Sequence, residues 1–279
     1  ELMQVEAIAG ALGAEITGID LSSELSNSDA AAIRDAFLDH KVIFFRDQKL
    51  TPKDQVRFAS LFGEPDIYPF IEGLPDTPEV IEILKAEGDA KNFGGSWHSD
   101  TSYMEQPALG TVLYALETPK AGGDTLFANA GAAYEALSDG MKAMLGDLKG
   151  VNSSEHGYAG GRAAAMAKLD GMKETDQAAT GYESRHPIVR THPETGQKSL
   201  YLNRSHTACF DTMTEAESKP LIDFLCDHIT RPEFTCRFRW TPGAIAVWDN
   251  RATQHLAVND YPGKRRRMHR VTIKGDTPR

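Results

Sequence analysis

A mainly β fold with helices on its flanks, a β-sandwich or jelly roll, is the class this sequence predicts. Three observations point to it. Short apolar runs bounded by turn residues dominate from residue 79 onward. Only a few helical patterns interrupt them. The 279 residues also suit one large all-β unit, a class that often reaches this size undivided. In order, residues 5–8 and 14–19 read as short strands. Residues 28–40 read as a helix, with Asn27 or Ser28 as its cap and Ile33, Phe37 and Leu38 as its apolar stripe. Residues 41–45 form a buried strand, and Thr51 caps a second helix that starts at Pro52 and turns Val56, Phe58, Leu61 and Phe62 inward. Strands are predicted at 80–84, 109–115, 125–128, 188–191, 199–203, 234–240, 244–248 and 269–273, with helices at 130–144 and 214–228. Residues 156–184 differ: Gly and Ala recur, charges are scattered, and large apolar side chains are few. They read as a surface insertion or as a lid over a site. The chain is thus read as a single domain, 1–279, with a lid insertion at about 156–184.

Composition narrows the function. Thirty Lys+Arg against 40 Asp+Glu leave a formal charge of −10, and 41% of residues are hydrophobic. That apolar content excludes disorder for most of the chain. The acidic balance argues against nucleic acid, which needs a basic surface. No apolar run approaches the roughly 20 residues that span a bilayer, so no membrane segment is expected. Cys209, Cys226 and Cys236 have no close-spaced metal pattern, and no basic-then-apolar leader opens the sequence. Reduced thiols and a cytoplasmic location are the expectation.

The chemistry concentrates in two places. In Trp97-His98-Ser99-Asp100 a His and an Asp two apart in an extended segment point to one side, where both can ligate one metal. His255 is the candidate third ligand. Two His and one carboxylate on one octahedral face leave three positions open, the arrangement of non-haem Fe(II) oxygenases. A second match to the same spacing, His192-Pro193-Glu194, is followed by Thr195-Gly196 between two strand candidates and reads as a hairpin turn. The other place is the basic run 264–270, which passes directly into Val271-Thr272-Ile273. A strand beginning by Arg266 puts Arg266, Met268 and Arg270 on one face and Arg267 and His269 on the other. Two inward arginines beside a metal site can grip two anions, since Arg binds carboxylates in bidentate fashion. Gly122-Gly123-Asp124-Thr125 reads as a turn entering a strand, where Thr125 could donate its hydroxyl to a bound carboxylate.

Together these pieces resemble the taurine dioxygenase/2,4-D dioxygenase family of Fe(II)- and 2-oxoglutarate-dependent enzymes. The resemblance runs from Leu12-Gly13-Ala14-Glu15-Ile16-Thr17-Gly18 through Trp97-His98-Ser99-Asp100, Gly122-Gly123-Asp124-Thr125, Arg190-Thr191-His192-Pro193 and Trp248-Asp249-Asn250-Arg251 to His255 and Met268-His269-Arg270. It implies a double-stranded β-helix (jelly roll) in which His98, Asp100 and His255 bind iron. It implies that Arg266, eleven residues past His255, and Thr125 hold the distal carboxylate of 2-oxoglutarate. Arg270, fifteen past His255, would hold an anionic substrate. O₂ would be consumed, 2-oxoglutarate would give succinate and CO₂, and a hydroxyl would be placed on the substrate. Ascorbate would help in vitro, and a homo-oligomer, dimer or tetramer, is implied.

The substrate residues depart from the taurine enzymes. A histidine before a proline in that group corresponds to Tyr68, an asparagine four residues before the metal His to Gly94, preceded by Phe93, and an aromatic pocket residue to His206. The expectation is therefore a small anionic organic substrate: a sulfonate, a sulfate ester or an aryloxyalkanoate. Hydroxylation would fall on the carbon next to the heteroatom, so that the product fragments. The competing readings are taurine dioxygenase proper and, from another class, a zinc-dependent hydrolase or an anion-binding protein on the same fold.

Overall fold

The structure, a computed structural model, describes residues 2–157 and 172–279. Two sheets form the frame. The larger runs in the order Gln4–Ala7, Ala14–Thr17, Val42–Phe45, Ile245–Asp249, Gly110–Glu117, Arg266–Ile273, Thr77–Lys85 and Gly73–Leu74, with Pro65–Asp66 also pairing with Arg266–Ile273. The smaller consists of Thr235–Phe238, Thr125–Asn129 and Thr253–Ala257. Rings from both sheets meet between them. Phe44 stacks on Phe238 at 4.0 Å, and Phe127 meets Phe44 at 5.7 Å and Trp248 at 5.6 Å. This is the mainly β, jelly-roll frame that the sequence predicts.

The larger sheet is buried on both faces, so its central strands read as continuous apolar runs rather than alternations. Val42–Phe45 and Ile245–Asp249 are buried at every position. Ile43, Phe45 and Val247 pack in one core with Phe37 and Phe58 of the helices Asn27–His40 and Pro52–Ala59, and with Phe62 just beyond the second. The helix starts follow cap chemistry. Thr51 and Asp54 form a reciprocal capping box with Pro52 in the first turn. At the first helix the cap is Ser26, one residue before the positions expected, and its hydroxyl accepts from the Asp29 amide.

Other expectations need correction. The helix expected over 130–144 is two, Ala130–Glu135 and Asp139–Leu145, because the Ser138 hydroxyl accepts the Met141 amide and starts a new helix. A third sheet, Glu183–Pro187, Lys149–Ser153 and Thr207–Phe210, was not legible. The expected turn at His192 joins the hairpin strands Val189–Thr191 and Lys198–Leu200, closed by the His192 amide donating to Gln197 O at 2.8 Å.

Residues 158–171 of the expected lid lie outside the described residues. Its described flank is docked. The Glu72 amide donates to Lys173 O at 2.8 Å, the Thr175 amide to Phe70 O at 3.2 Å, and the Thr175 hydroxyl to Pro69 O. Tyr182 packs on Phe70 at 5.6 Å. The flank is therefore seated on the segment that carries Tyr68. Among the described residues no helix is long and apolar enough to cross a membrane.

Candidate metal centre and active site

His98 and His255, far apart in sequence, face each other in an isolated antiparallel bridge. Each backbone amide donates to the other residue's carbonyl, at 3.1 and 2.9 Å, which sets both rings on one side with centroids 4.3 Å apart. His98 thus sits on a single bridge rather than in a continuous strand. The chain then turns sharply through Thr101, whose φ of 51° lies in the left-handed region that β-branched residues avoid. Asp100, just before that turn, brings its carboxylate to the Nε2 edge of both rings. Its Oδ1 lies 3.5 Å from His98 Nε2 and 3.4 Å from His255 Nε2. Neighbouring corners of an octahedron with bonds of about 2.1 Å are roughly 3 Å apart. The three groups therefore match one face of such a site, and all three ligand atoms lie within 4.8 Å of one another.

The surrounding residues fix which atoms face the metal position. His98 Nδ1 donates to Ser96 O at 2.6 Å, so Nε2 keeps its lone pair. Asp100 Oδ2 accepts from Thr111 Oγ1 at 2.8 Å, Asn250 Nδ2 at 3.0 Å and Trp248 Nε1 at 3.1 Å. Those three donors occupy Oδ2 and present Oδ1 to the imidazoles. Burial raises the Asp100 pKa, but Arg270 and the two histidines outweigh it and hold the carboxyl well below its ordinary value. Burial pushes the His255 imidazole down to about 3, only partly opposed by Asp100. It is therefore neutral and able to ligate at neutral pH.

The basic run divides by face as expected. Outward, Arg265 pairs with Glu117 at 2.6 Å and Arg267 with Glu82 at 2.8 Å, while His269 Nε2 lies 3.1 Å from Glu82. Arg265 and Arg267 are thus partly exposed and each paired with a carboxylate, while His269 is buried against Glu82. Inward, Arg266 and Arg270 are both buried and both line the recess behind the histidines. Arg266 has no carboxylate partner among the described residues, and its Nε and Nη2 are buried without an acceptor. Burial pulls its pKa down, with Tyr261 and Asp124 only partly offsetting. Thr125 lines the same recess, on the strand that pairs with the one bearing His255. Its Oγ1 accepts from Trp240 Nε1 at 2.9 Å, which leaves the hydroxyl proton to donate. A buried guanidinium with unmatched donors beside an oriented hydroxyl has the chemistry to receive a carboxylate.

A wider chamber of about 380 Å³ adjoins this recess, lined in part by Tyr68, Phe93, Gly94, His98, Asp100, His206 and Arg270. All the expected substrate residues are brought together there. The Arg270 guanidinium lies 5.2 Å from the Tyr68 ring and 6.0 Å from the Phe93 ring, with Nη2 3.2 Å from Asp100 Oδ1. Gly94 has φ 78°, and a Cβ there would stand 3.3 Å from His98 Cε1, so glycine leaves space beside the ligand ring. The His206 ring is fixed by Ser102 Oγ, 2.7 Å from Nδ1, and the Ser102 oxygen also accepts from Asn203 Nδ2 at 3.0 Å. Sequence reasoning assigned no role to Thr111, Trp248, Asn250 and Trp240, which aim Asp100 and Thr125. The run Trp248-Asp249-Asn250-Arg251 was the available signal.

Known proteins share both the sequence and the frame that carry this geometry. Residues 4–272 match the family described as taurine catabolism dioxygenase TauD, TfdA. An alkylsulfatase of Acinetobacter baylyi is 38% identical over 276 residues, covering 98% of this chain and 86% of that protein. An alpha-ketoglutarate-dependent sulfate ester dioxygenase of Pseudomonas putida is 38% identical over 278 residues, covering 99% and 91%. The crystal structure of a taurine dioxygenase from Burkholderia xenovorans superposes with a TM-score of 0.83 at 36% identity, covering 99% of this chain and 92% of that one.

Proposed function

The chain belongs to the taurine catabolism dioxygenase TauD, TfdA family, and from that premise we propose that this 2-oxoglutarate-dependent dioxygenase oxidises sulfate esters of apolar alcohols, with Fe(II) as its metal. The observation that carries the reading is the charge of the chamber. Arg270 stands between two aromatic rings, Lys91 adds a second cation, and the sole carboxylate among the described lining residues is the ligand Asp100. Taurine would bring an ammonium that finds no acid to receive it. A sulfate ester brings a single anionic head for Arg270 and apolar surface for Tyr68 and Phe93. The two relatives at 38% identity, an alkylsulfatase and a sulfate ester dioxygenase, point the same way.

In this reading His98 Nε2, Asp100 Oδ1 and His255 Nε2 hold Fe(II). Arg266 and the Thr125 hydroxyl hold the distal carboxylate of 2-oxoglutarate, and the unmatched Arg266 donors are what that carboxylate fits. Bound Fe(II) and 2-oxoglutarate supply the oxidising chemistry: O₂ is consumed, one oxygen atom goes into succinate as CO₂ leaves, and the other goes into the substrate. Arg270 orients the sulfate so that the carbon bearing the ester oxygen faces the metal. The aromatic walls exclude water from that carbon. The hydroxylated product then collapses. The carbon–oxygen bond to sulfate breaks, the hydroxyl proton is released, and an aldehyde and sulfate leave.

The test is succinate formation by the purified protein with Fe(II), ascorbate and 2-oxoglutarate. The panel contains alkyl sulfates, alkanesulfonates, taurine and both enantiomers of an aryloxypropionate. Alkyl sulfates should give the largest stimulation, with aldehyde and sulfate released in step with succinate. Stronger stimulation by taurine or an aryloxypropionate would overturn the sulfate-ester assignment. Sulfate release without succinate or O₂ uptake would replace the oxygenase with a hydrolase.

A further inference from the structure

A second cavity, of about 390 Å³, adjoins the substrate chamber and takes no part in holding metal or cosubstrate. The two share Ser96, Gly157 and Ser205 as a common wall. The wall is thin. The Ser96 and Ser205 hydroxyls hydrogen-bond at 2.6 Å, and Ser205 Oγ donates onward to Trp97 O at 3.1 Å. Ser205 precedes the chamber residue His206, and Ser96 stands two residues before the ligand His98. Two residues span at most about 7 Å, so the wall is close to the metal face.

Side-chain alternation along Thr253–Ala257 explains what lies beyond. His255 points to the metal, so Gln254 and Leu256 point the other way, into the second cavity. Of the polar groups there, Gln254, Arg204, Asp227 and Thr230 are already engaged. Gln254 Nε2 donates to Leu202 O at 2.7 Å, and Arg204 pairs with Asp223 and Asp227, each at 2.7 Å. Burial pushes the Cys226 thiol up to about 12, so that side chain is a neutral, small apolar group. The surface left to a ligand is Trp97, Leu256, Cys226 and the Arg204 stem, with the His156 ring beside them. Such a lining suits an apolar group better than water.

We infer that this cavity receives the far end of the substrate's alkyl chain, which parts the Ser96–Ser205 hydrogen bond to cross the wall while its sulfate stays on Arg270, and that it thereby sets the preferred chain length. The inference rests on the sulfate-ester reading. It assigns the distal subsite to Trp97, Leu256 and Cys226, residues outside the metal and cosubstrate sites.

The experiment is equilibrium binding of ethyl sulfate and octyl sulfate to the protein loaded with metal and 2-oxoglutarate, without O₂, by titration calorimetry. Wild type, Leu256→Trp and Thr230→Trp are compared, the two variants filling the cavity from the strand Thr253–Ala257 and from the end of the helix Glu215–Ile229. In wild type each added methylene that reaches the cavity should tighten binding by roughly fourfold. Both variants should weaken octyl sulfate by about tenfold or more and leave ethyl sulfate within about twofold. Equal binding of the two esters by wild type, or octyl affinity unchanged in both variants, would overturn the inference. So would equal losses for the short and long esters in both variants, which would make the cavity structural. Discrimination by chain length without succinate formation would uphold the subsite and fail the proposed reaction instead.

Discussion

Two histidines set in the same His-x-[DE] spacing, His98 and His192, have opposite outcomes in this molecule. Around His192 every group has a protein partner. Its Nε2 donates to Asp249 Oδ2 at 2.8 Å, and its Nδ1 accepts the amides of Glu194 and Thr195, each at 3.1 Å. Arg251 grips Asp249 with two bonds of 2.8 and 3.0 Å and reaches Glu194 at 2.7 Å, which Arg34 meets at 2.8 Å. Two carboxylates and two guanidiniums close the set. Around His98, by contrast, Asp100 Oδ1 and two imidazole nitrogens converge on one point, and nearby Arg266 keeps donors without acceptors. A closed set of buried charges serves the fold, whereas one that its neighbours leave open is completed by a ligand.

The sharpest way to break that comparison is to remove a histidine from each group. His98→Ala and His255→Ala should each abolish metal binding and succinate formation, while His192→Ala keeps metal affinity near wild type. A metal titration of the three variants checks this, and metal binding retained in the first two would dissolve the distinction.

Next in size is a pair of arginine substitutions read by urea unfolding of the metal-free protein. Arg251→Met strips a buried carboxylate of its partner and should cost about 3–5 kcal/mol. Arg266→Met removes a buried cation that has no carboxylate, and should leave stability unchanged or raised. Equal losses would mean that Arg266 is as structural as Arg251.

Within the open group, Arg270→Ala should raise the KM for the sulfate ester far more than that for 2-oxoglutarate. The rise should be about thirtyfold, the lower end expected when one partner of a buried charge pair is removed. The reverse pattern in steady-state kinetics would exchange the roles of the two arginines. A smaller effect is expected from Trp240→Phe, which removes the donor that orients Thr125. The loss of one hydrogen bond should raise the KM for 2-oxoglutarate by about three- to tenfold and leave that for the ester unchanged.

Acid should also separate the groups. The folded His255 pKa of about 3 lies below its ordinary value of 6.5, so the unfolded chain binds the extra proton between those values. That contribution is complete above pH 6.5 and is lost as the pH falls toward 3. Asp249, whose pKa is depressed from 3.8 by His192 and Arg251 against the upward push of burial, loses its contribution only below that value. Unfolding of metal-free His255→Gln should therefore show a shallower decline than wild type between pH 6.5 and 4. An identical decline would contradict the assignment.

Local signals were the legible ones. Thr51 before Pro52 marked a helix start, and the alternation of Arg266, Met268 and Arg270 against Arg267 and His269 turned Arg266 and Arg270 toward the recess and Arg267 and His269 toward Glu82. What stayed hidden depends on pairings between distant residues. Asp100 is held by Trp248 and Asn250 from 148 and 150 residues away. The bridge between His98 and His255 has no local trace. In 130–144 an amphipathic pattern continued across Ser138, and only its capping bond reveals the break. The second histidine motif was read correctly as a turn, but its partner Asp249 could be seen only once the strands were paired.

The most direct test of the open site is calorimetric binding of 2-oxoglutarate to the purified protein with and without added Fe(II), in the absence of O₂, for wild type and Arg266→Met. The expected result is one 2-oxoglutarate per chain, tight only when metal is present, and weakened by about thirtyfold or more in Arg266→Met. Metal-independent binding, or affinity unchanged by the loss of Arg266, would contradict it.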